Sequence, residues 1–379
     1  MPDRYRLDWT GGGSDMDPSE SIDKKVKETL KPKLGKDFYD ETASQGNMVR
    51  MGLNENMIVD GCVANMLLEE AAKRTDPRRY PAPKGSSAIK AISESLGVWE
   101  DEVIVGNGAD EILDLICKVY VGGGEALVVE PTFEMYRFYI GLGRGRARAS
   151  MMTKEFGLDA EGVLGGITDK TKALFICSPN NPTGRQFSKD DVLRVVEDCD
   201  RLVVVDEAYS DFAPYSLSRE STRYQNLLVL RTFSKAFGMA GLRLGYATST
   251  NETTGWLRAA QSPFSVNEVA QEMARLVLEN NKIYEEYVRK TVEERAYLKA
   301  ELDDVNGIEA FDSDANFILF RILNKDLRSS DVVARLKGAG FEVRDRGTLP
   351  MLKNCIRVTV STRQNNMRFV GELVKELRG

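Results

Sequence analysis

The chain has 379 residues, 42% of them apolar and 29% charged, and its 52 basic and 58 acidic side chains give a net charge of −6. At ~150 residues per domain this length predicts two domains with a core that needs neither disulfides nor metals, and the acidic balance argues against a nucleic-acid binder. Histidine is absent, which excludes Ser-His-Asp triads, Cys-His nucleophiles, histidine-ligated metals and histidine pH switches. Proton transfer near neutral pH then falls to lysine, carboxylate, tyrosine or a bound cofactor.

The five cysteines (Cys62, Cys117, Cys177, Cys199 and Cys355) are odd in number and scattered, with no C-x-x-C. They predict reduced thiols in a cytoplasmic protein rather than a disulfide framework. No apolar run approaches the ~18 residues of a membrane span, and the first residues lack the basic-then-apolar layout of a secretory signal.

In chain order, residues 1–23 read as a polar arm rich in Gly, Ser and Asp, followed by a short helix ending near residue 30. Together, residues 1–47 are expected to form an arm and helix packing with the smaller domain. Residues 48–57 read as a strand and turn. Residues 63–74 read as a helix with Met66, Leu67 and Ala71 on its inner face, and residues 76–85 as a Pro-rich loop carrying two arginines and Tyr80. A helix over 86–96 follows. Strands and helices then alternate, with apolar strand runs at 102–108, 125–133, 146–152, 171–179, 201–212, 226–235 and 241–249. Such β-branched runs separated by helices predict an α/β fold, a mostly parallel seven-stranded sheet covered on both faces, in a large domain over 48–253. Residues 268–303 form a charged helical region in two pieces. Short strands and helices beyond it predict a smaller α+β domain over 254–379.

In an open parallel sheet, ligands bind beyond the C-terminal ends of the strands. Collecting the polar residues there gives GNGAD with Ala109 and Asp110, Asn181 in SPNNPTG, Asp206 and Tyr209 in DEAYSDF, Ser234 and Lys235 in TFSK, and Arg243 in GLRLGY. Each alone has an ordinary explanation: Asp206 as a turn former, Tyr209 as a packing residue, Lys235 as a solvated lysine. The combination suits a cofactor that carries a phosphate, a basic ring nitrogen, a phenolic oxygen and an aldehyde. No metal-ligand set stands out.

The set SPNNPTG, DEAYSDF and TFSKAFGMAGLRLGY resembles the pyridoxal-phosphate-dependent aminotransferases of fold type I, class I/II, and within them the histidinol-phosphate aminotransferase branch. The resemblance runs from LNENM near residue 53 to IRVTVSTR near residue 356. It implies a cofactor, pyridoxal 5′-phosphate, held by Lys235 as a Schiff base, with Lys235 later serving as the proton-transfer base. Asp206 would pair with the pyridine nitrogen. Tyr209 and Asn181 would bond the phenolate oxygen, and Phe133 would stack on the ring. Backbone N–H groups of Ala109 and Asp110, with Ser234 and Arg243, would bind the phosphate. Tyr80 matches a tyrosine that reaches the phosphate of the neighbouring subunit, which implies a homodimer with shared active sites.

For substrate, the resemblance implies that Arg357, with Asn181, clamps the anionic group and that Arg344 serves a substrate phosphate. The expected reaction is ping-pong amino transfer to 2-oxoglutarate, first from histidinol phosphate, with aromatic amino acids or aspartate close behind. The alternative on the same scaffold is a lyase similar to threonine-phosphate decarboxylases. A cofactor-sensing regulator would need a DNA-binding region, and the N-terminal segment shows no helix-turn-helix pattern. One departure falls at Met57, where relatives commonly carry proline after Asn-Glu-Asn.

Overall fold

The computed structural model describes residues 21–33 and 48–378. Most of the polar arm expected over 1–23 lies outside them. The first element is α1 (Lys24–Leu30), capped by the Asp23 carboxylate, which accepts from the Lys25 and Val26 N–H groups. It rests against α5 (Met135–Leu142) of the large layer, and Lys25 Nζ donates to the Arg144 carbonyl at 2.8 Å. Among the described residues the helix lies against the large layer, and the cation at Lys25 finds its acceptor in the turn just beyond the C-terminal end of α5.

Strand β1 (Val49–Arg50) is followed by α2 (Gly61–Arg74) and α3 (Ser86–Leu96). On α2, Leu67 and Ala71 are buried, but Met66 is 58% exposed, so the inner face is narrower than its periodicity suggested. Next come β2 (Val103–Asn107), α4 (Ala109–Ile116), β3 (Glu125–Glu130), α5, β4 (Arg146–Met151), α6 (Ala160–Gly165), β5 (Thr171–Cys177), α7 (Lys189–Glu197), β6 (Leu202–Asp206), β7 (Leu227–Thr232) and β8 (Leu244–Thr248). These strands form a seven-stranded sheet in the order β2-β8-β7-β6-β5-β3-β4. All run parallel except β8, which is antiparallel to both neighbours.

Strands β6 and β7 are buried along their whole length and β5 at every residue but Lys172, and their residues alternate between two cores. On one face Leu174, Ile176, Val203, Val205 and Val229 pack with Val192, Val195 and Val196 of α7. On the other, Phe175, Val204, Leu228 and Leu230 pack with Ile112 and Ile116 of α4 and Tyr136 and Ile140 of α5. Ser188 caps α7 by accepting from the Asp191 N–H, a bond that stabilises a helix start by roughly 1 kcal/mol.

Helix α8 (Asn251–Ala260) spans the boundary expected at residue 253, and Leu257 joins the sheet core. Helices α9 (Glu268–Glu279) and α10 (Asn281–Asp303) are the two pieces of the charged region. The C-terminal layer comprises β9 (Ile308–Ala310), β10 (Phe317–Ile322), α11 (Ser329–Gly338), β11 (Phe341–Glu342), β12 (Arg344–Asp345), β13 (Cys355–Thr359) and α12 (Arg363–Arg378). Its antiparallel sheet has the order β12-β13-β10-β9. Strand β1 pairs with β11 and Met51 joins this layer's core, so the segment after residue 48 bridges the two layers. Among the described residues no helix is long and apolar enough to cross a membrane, and Cys62 is exposed while the other four cysteines are buried and free.

Candidate active site

A cavity of about 360 Å³ opens where the large sheet meets the C-terminal layer. Five strands deliver side chains to it. Cys177 and Asp206 end β5 and β6, Thr232 ends β7 just before Ser234 and Lys235, and Ala109 and Asp110 open α4 directly after β2. Arg243 precedes β8 rather than following it. Because β8 is antiparallel, its N-terminal end lies at the same edge as the C-terminal ends of its neighbours, so the arginine reaches the same place.

Of the residues read from the sequence, Ala109, Asp110, Phe133, Asn181, Asp206, Tyr209, Ser234, Lys235, Arg243, Arg344 and Arg357 all line this one cavity. Tyr80 does not. It is 79% exposed and stacks on Phe264, with ring centroids 4.6 Å apart.

Asp206 is buried, and its two oxygens are held separately: Tyr136 Oη donates to Oδ2 at 2.6 Å and the Ala208 N–H to Oδ1 at 3.0 Å. Burial raises its pKa, against the pull of those hydrogen bonds. The adjoining Glu207 is also buried and accepts from Ser216 Oγ and the Leu217 N–H, with Arg231 alongside. That network ties the DEAYSDF segment to β7. Lys235 Nζ donates to the Leu53 carbonyl at 2.9 Å. Burial, then the Arg357 charge, lower its pKa to about 8. Tyr209 Oη accepts from Asn54 Nδ2 at 3.0 Å, and burial pushes its pKa up to about 12, so it stays a neutral donor.

Arg357 is buried on β13. It donates through Nη1 to Asn181 Oδ1 at 2.6 Å and through Nη2 to the Gly52 carbonyl. Arg243 Nη2 pairs with Asp110 Oδ2 at 3.0 Å, in the first turn of α4. That helix begins at Gly108 with no side-chain cap, so its first N–H groups are left for another acceptor where they line the cavity. Close approach here depends on two glycines: a Cβ on Gly245 would lie 2.3 Å from the Ala109 nitrogen, and one on Gly108 would lie 2.5 Å from Arg243 Nη2.

Sequence reasoning missed Tyr136, Asn54, Glu134 and Arg346. A buried tyrosine hydroxyl needs a partner, but nothing in EMYRFY indicates that the partner is seventy residues away. Arg346 stands in the same EVRDRG segment as Arg344, and the period-two alternation of a strand was the signal that links them.

The family described as aminotransferase class I and II matches residues 49–373. The chain is similar to the histidinol-phosphate aminotransferase of Thermococcus gammatolerans, 37% identical over 353 residues covering 91% of this chain and 97% of the relative. It is also similar to that of Bacteroides fragilis (strain YCH46), 33% identical over 322 residues covering 83% and 92%. In fold it resembles the histidinol-phosphate aminotransferase of Sinorhizobium meliloti in complex with pyridoxal-5′-phosphate, with a TM-score of 0.83 at 22% identity, covering 97% of this chain and 98% of that one. The cavity fits such a group. An uncapped helix start beside Ser234 and Arg243 suits a phosphate, the buried Asp206 carboxylate suits a protonated ring nitrogen, and the Lys235 amine suits an aldehyde.

Proposed function

The chain belongs to the class I and II aminotransferase family, and from that premise we propose that it binds pyridoxal 5′-phosphate and carries an amino group from histidinol phosphate to 2-oxoglutarate in ping-pong fashion. The observation that carries this reading is the meeting, in one cavity, of an amine with a pKa near 8, a buried carboxylate and an arginine cluster. The sequence relatives named above support the choice of donor.

When bound, the cofactor supplies an aldehyde for amine chemistry and a ring that withdraws electrons from the reacting carbon. The Asp206 carboxylate favours a proton on a nitrogen facing it, and Tyr136 and Ala208 fix its orientation. Lys235 Nζ, with its lowered pKa, can hold and release a proton near neutral pH. The N–H groups of Ala109 and Asp110, with Ser234 and Arg243, would hold the cofactor's phosphate, Tyr209 and Asn181 its phenolic oxygen, and Phe133 its ring face. Arg357 and Arg344 would take the substrate's anionic groups, with Asn181 already bonded to Arg357. We place the active form as a cytoplasmic homodimer in which the partner's Tyr80 completes the phosphate site. The exposed aromatic stack of Tyr80 on Phe264 supports this.

A half-reaction screen tests the proposal. Loaded protein is mixed with single amines and its visible absorbance followed. Histidinol phosphate should bleach it at the lowest concentration and 2-oxoglutarate should restore it, while Lys235→Ala should lack both the absorbance band of the lysine Schiff base and turnover. Carbon dioxide released from threonine phosphate, without bleaching by histidinol phosphate, would instead mark a lyase.

A further inference from the structure

Three arginines converge on the C-terminal layer's side of the cavity. Arg344 and Arg346 are two residues apart at β12, so strand alternation brings both to the cavity. Asp345 between them turns away and accepts from Ser329 Oγ and the Gly347 N–H, each at 2.8 Å. Arg344 is also the direct cross-strand partner of Arg357. Like charges directly opposite on a sheet repel, so this side of the cavity presents a concentrated positive field to an entering anion.

The role assigned above uses Arg357 and Arg344 and leaves Arg346 over. Its side chain is 11% exposed, its Nη1 donates to Glu134 Oε2 at 3.0 Å, and its Nε is buried without a hydrogen-bond partner among the described residues. Glu134 stands on the opposite wall, between β3 and α5 and next to Phe133, with its side chain 48% exposed. The two ends of this bridge are therefore unequal. A half-exposed carboxylate loses little by returning to water, whereas a sequestered guanidinium with an unused N–H gains from any further anionic acceptor.

We infer that Arg346 is a further specificity-determining residue, which takes the phosphate of the amino donor, and that Glu134 holds its place as an internal competitor until that phosphate arrives. The inference rests on the reading of a phosphate-bearing donor. A phosphate monoester brings three acceptor oxygens and close to two negative charges, enough to displace one carboxylate and still engage Arg344. A substrate with a single carboxylate, already met by Arg357, brings nothing to exchange for Glu134.

Calorimetric titration of the cofactor-loaded protein with two unreactive ligands, 3-phenylpropyl phosphate and 3-phenylpropanoate, tests this. Arg346→Gln should weaken the phosphate ester by about tenfold or more and leave the carboxylate within about twofold, with Arg346→Lys recovering part of the loss. Glu134→Gln should tighten the phosphate ester by up to about fivefold. A bridge that merely clasps the two walls would make both substitutions weaken both ligands, and that result overturns the inference, as does an Arg346→Gln variant that binds the phosphate ester normally. If the unsubstituted protein binds the phosphate ester no better than the carboxylate, the phosphate-bearing donor falls and this assignment falls with it.

Discussion

An ordinary lysine is protonated up to about pH 10 and is a poor base in neutral solution. Lys235 differs because the cavity strips water from its amine and Arg357 stands nearby; Arg243 acts in the same direction, while Glu55 and Asp110 oppose it. The sign follows directly: a pKa lowered to about 8 leaves the amine protonated below that pH and free above it. Only the free amine attacks an aldehyde. The rate at which cofactor-free protein takes up pyridoxal 5′-phosphate, followed by absorbance, should therefore rise with pH through a midpoint near 8 and then level off. Arg357→Gln should move that midpoint upward, since a positive neighbour is removed, and an unmoved midpoint near 10 in the unsubstituted protein would show that the surroundings do not act on this amine. At this scale the sequence was informative for chemistry: the strand-end lysine, acid, amide and arginine could be listed by type. It was silent on Tyr136 and Asn54, because a hydrogen-bond partner far along the chain leaves no local pattern.

At the scale of elements, the phosphate end of the site is a fit between the start of α4 and the start of β8. Gly245 allows it, since the Ala109 nitrogen occupies the space a Cβ would need. Gly245→Ala must push α4 away from the sheet, an overpacking that costs roughly 1–3 kcal/mol. Thermal melts with and without pyridoxal 5′-phosphate should show a lower Tm and a smaller stabilisation by the cofactor. Gly241→Ala is the control, because nothing lies within 4 Å of its added Cβ, and it should leave both quantities unchanged. The seven strands of the large sheet and the helix over 86–96 were legible because their periodicity and caps are written within a few residues. Helices α6 and α8 were not, since α6 is six residues long and α8 has a mean face too polar to stand out in TTGWLRAA. The antiparallel course of β8 was also hidden, because a strand's run of apolar residues carries no direction.

For the whole molecule, the position of Tyr80 matters most. It lies outside its own chain's cavity, exposed against Phe264. If the partner's Tyr80 serves the site, mixed dimers of Lys235→Ala and Tyr80→Phe subunits contain one site with both native residues. Mixing the two variants should then yield more activity than their sum, and simple additivity would show that each chain acts alone. The closure of the C-terminal layer over the sheet edge is the other whole-molecule event, and it creates the contacts of Arg357 with Asn181 and of Arg346 with Glu134. From its sequence alone, this protein's alternating strands, its lack of histidine and the lysine that follows its strand run at 226–235 were determined, because each is recorded in residue type or in spacing along a short stretch. Which arginines share a cavity, which tyrosine orients Asp206 and where α1 rests were decided only by the tertiary structure, because those pairs are joined by the packing of layers and no local pattern specifies how two layers meet.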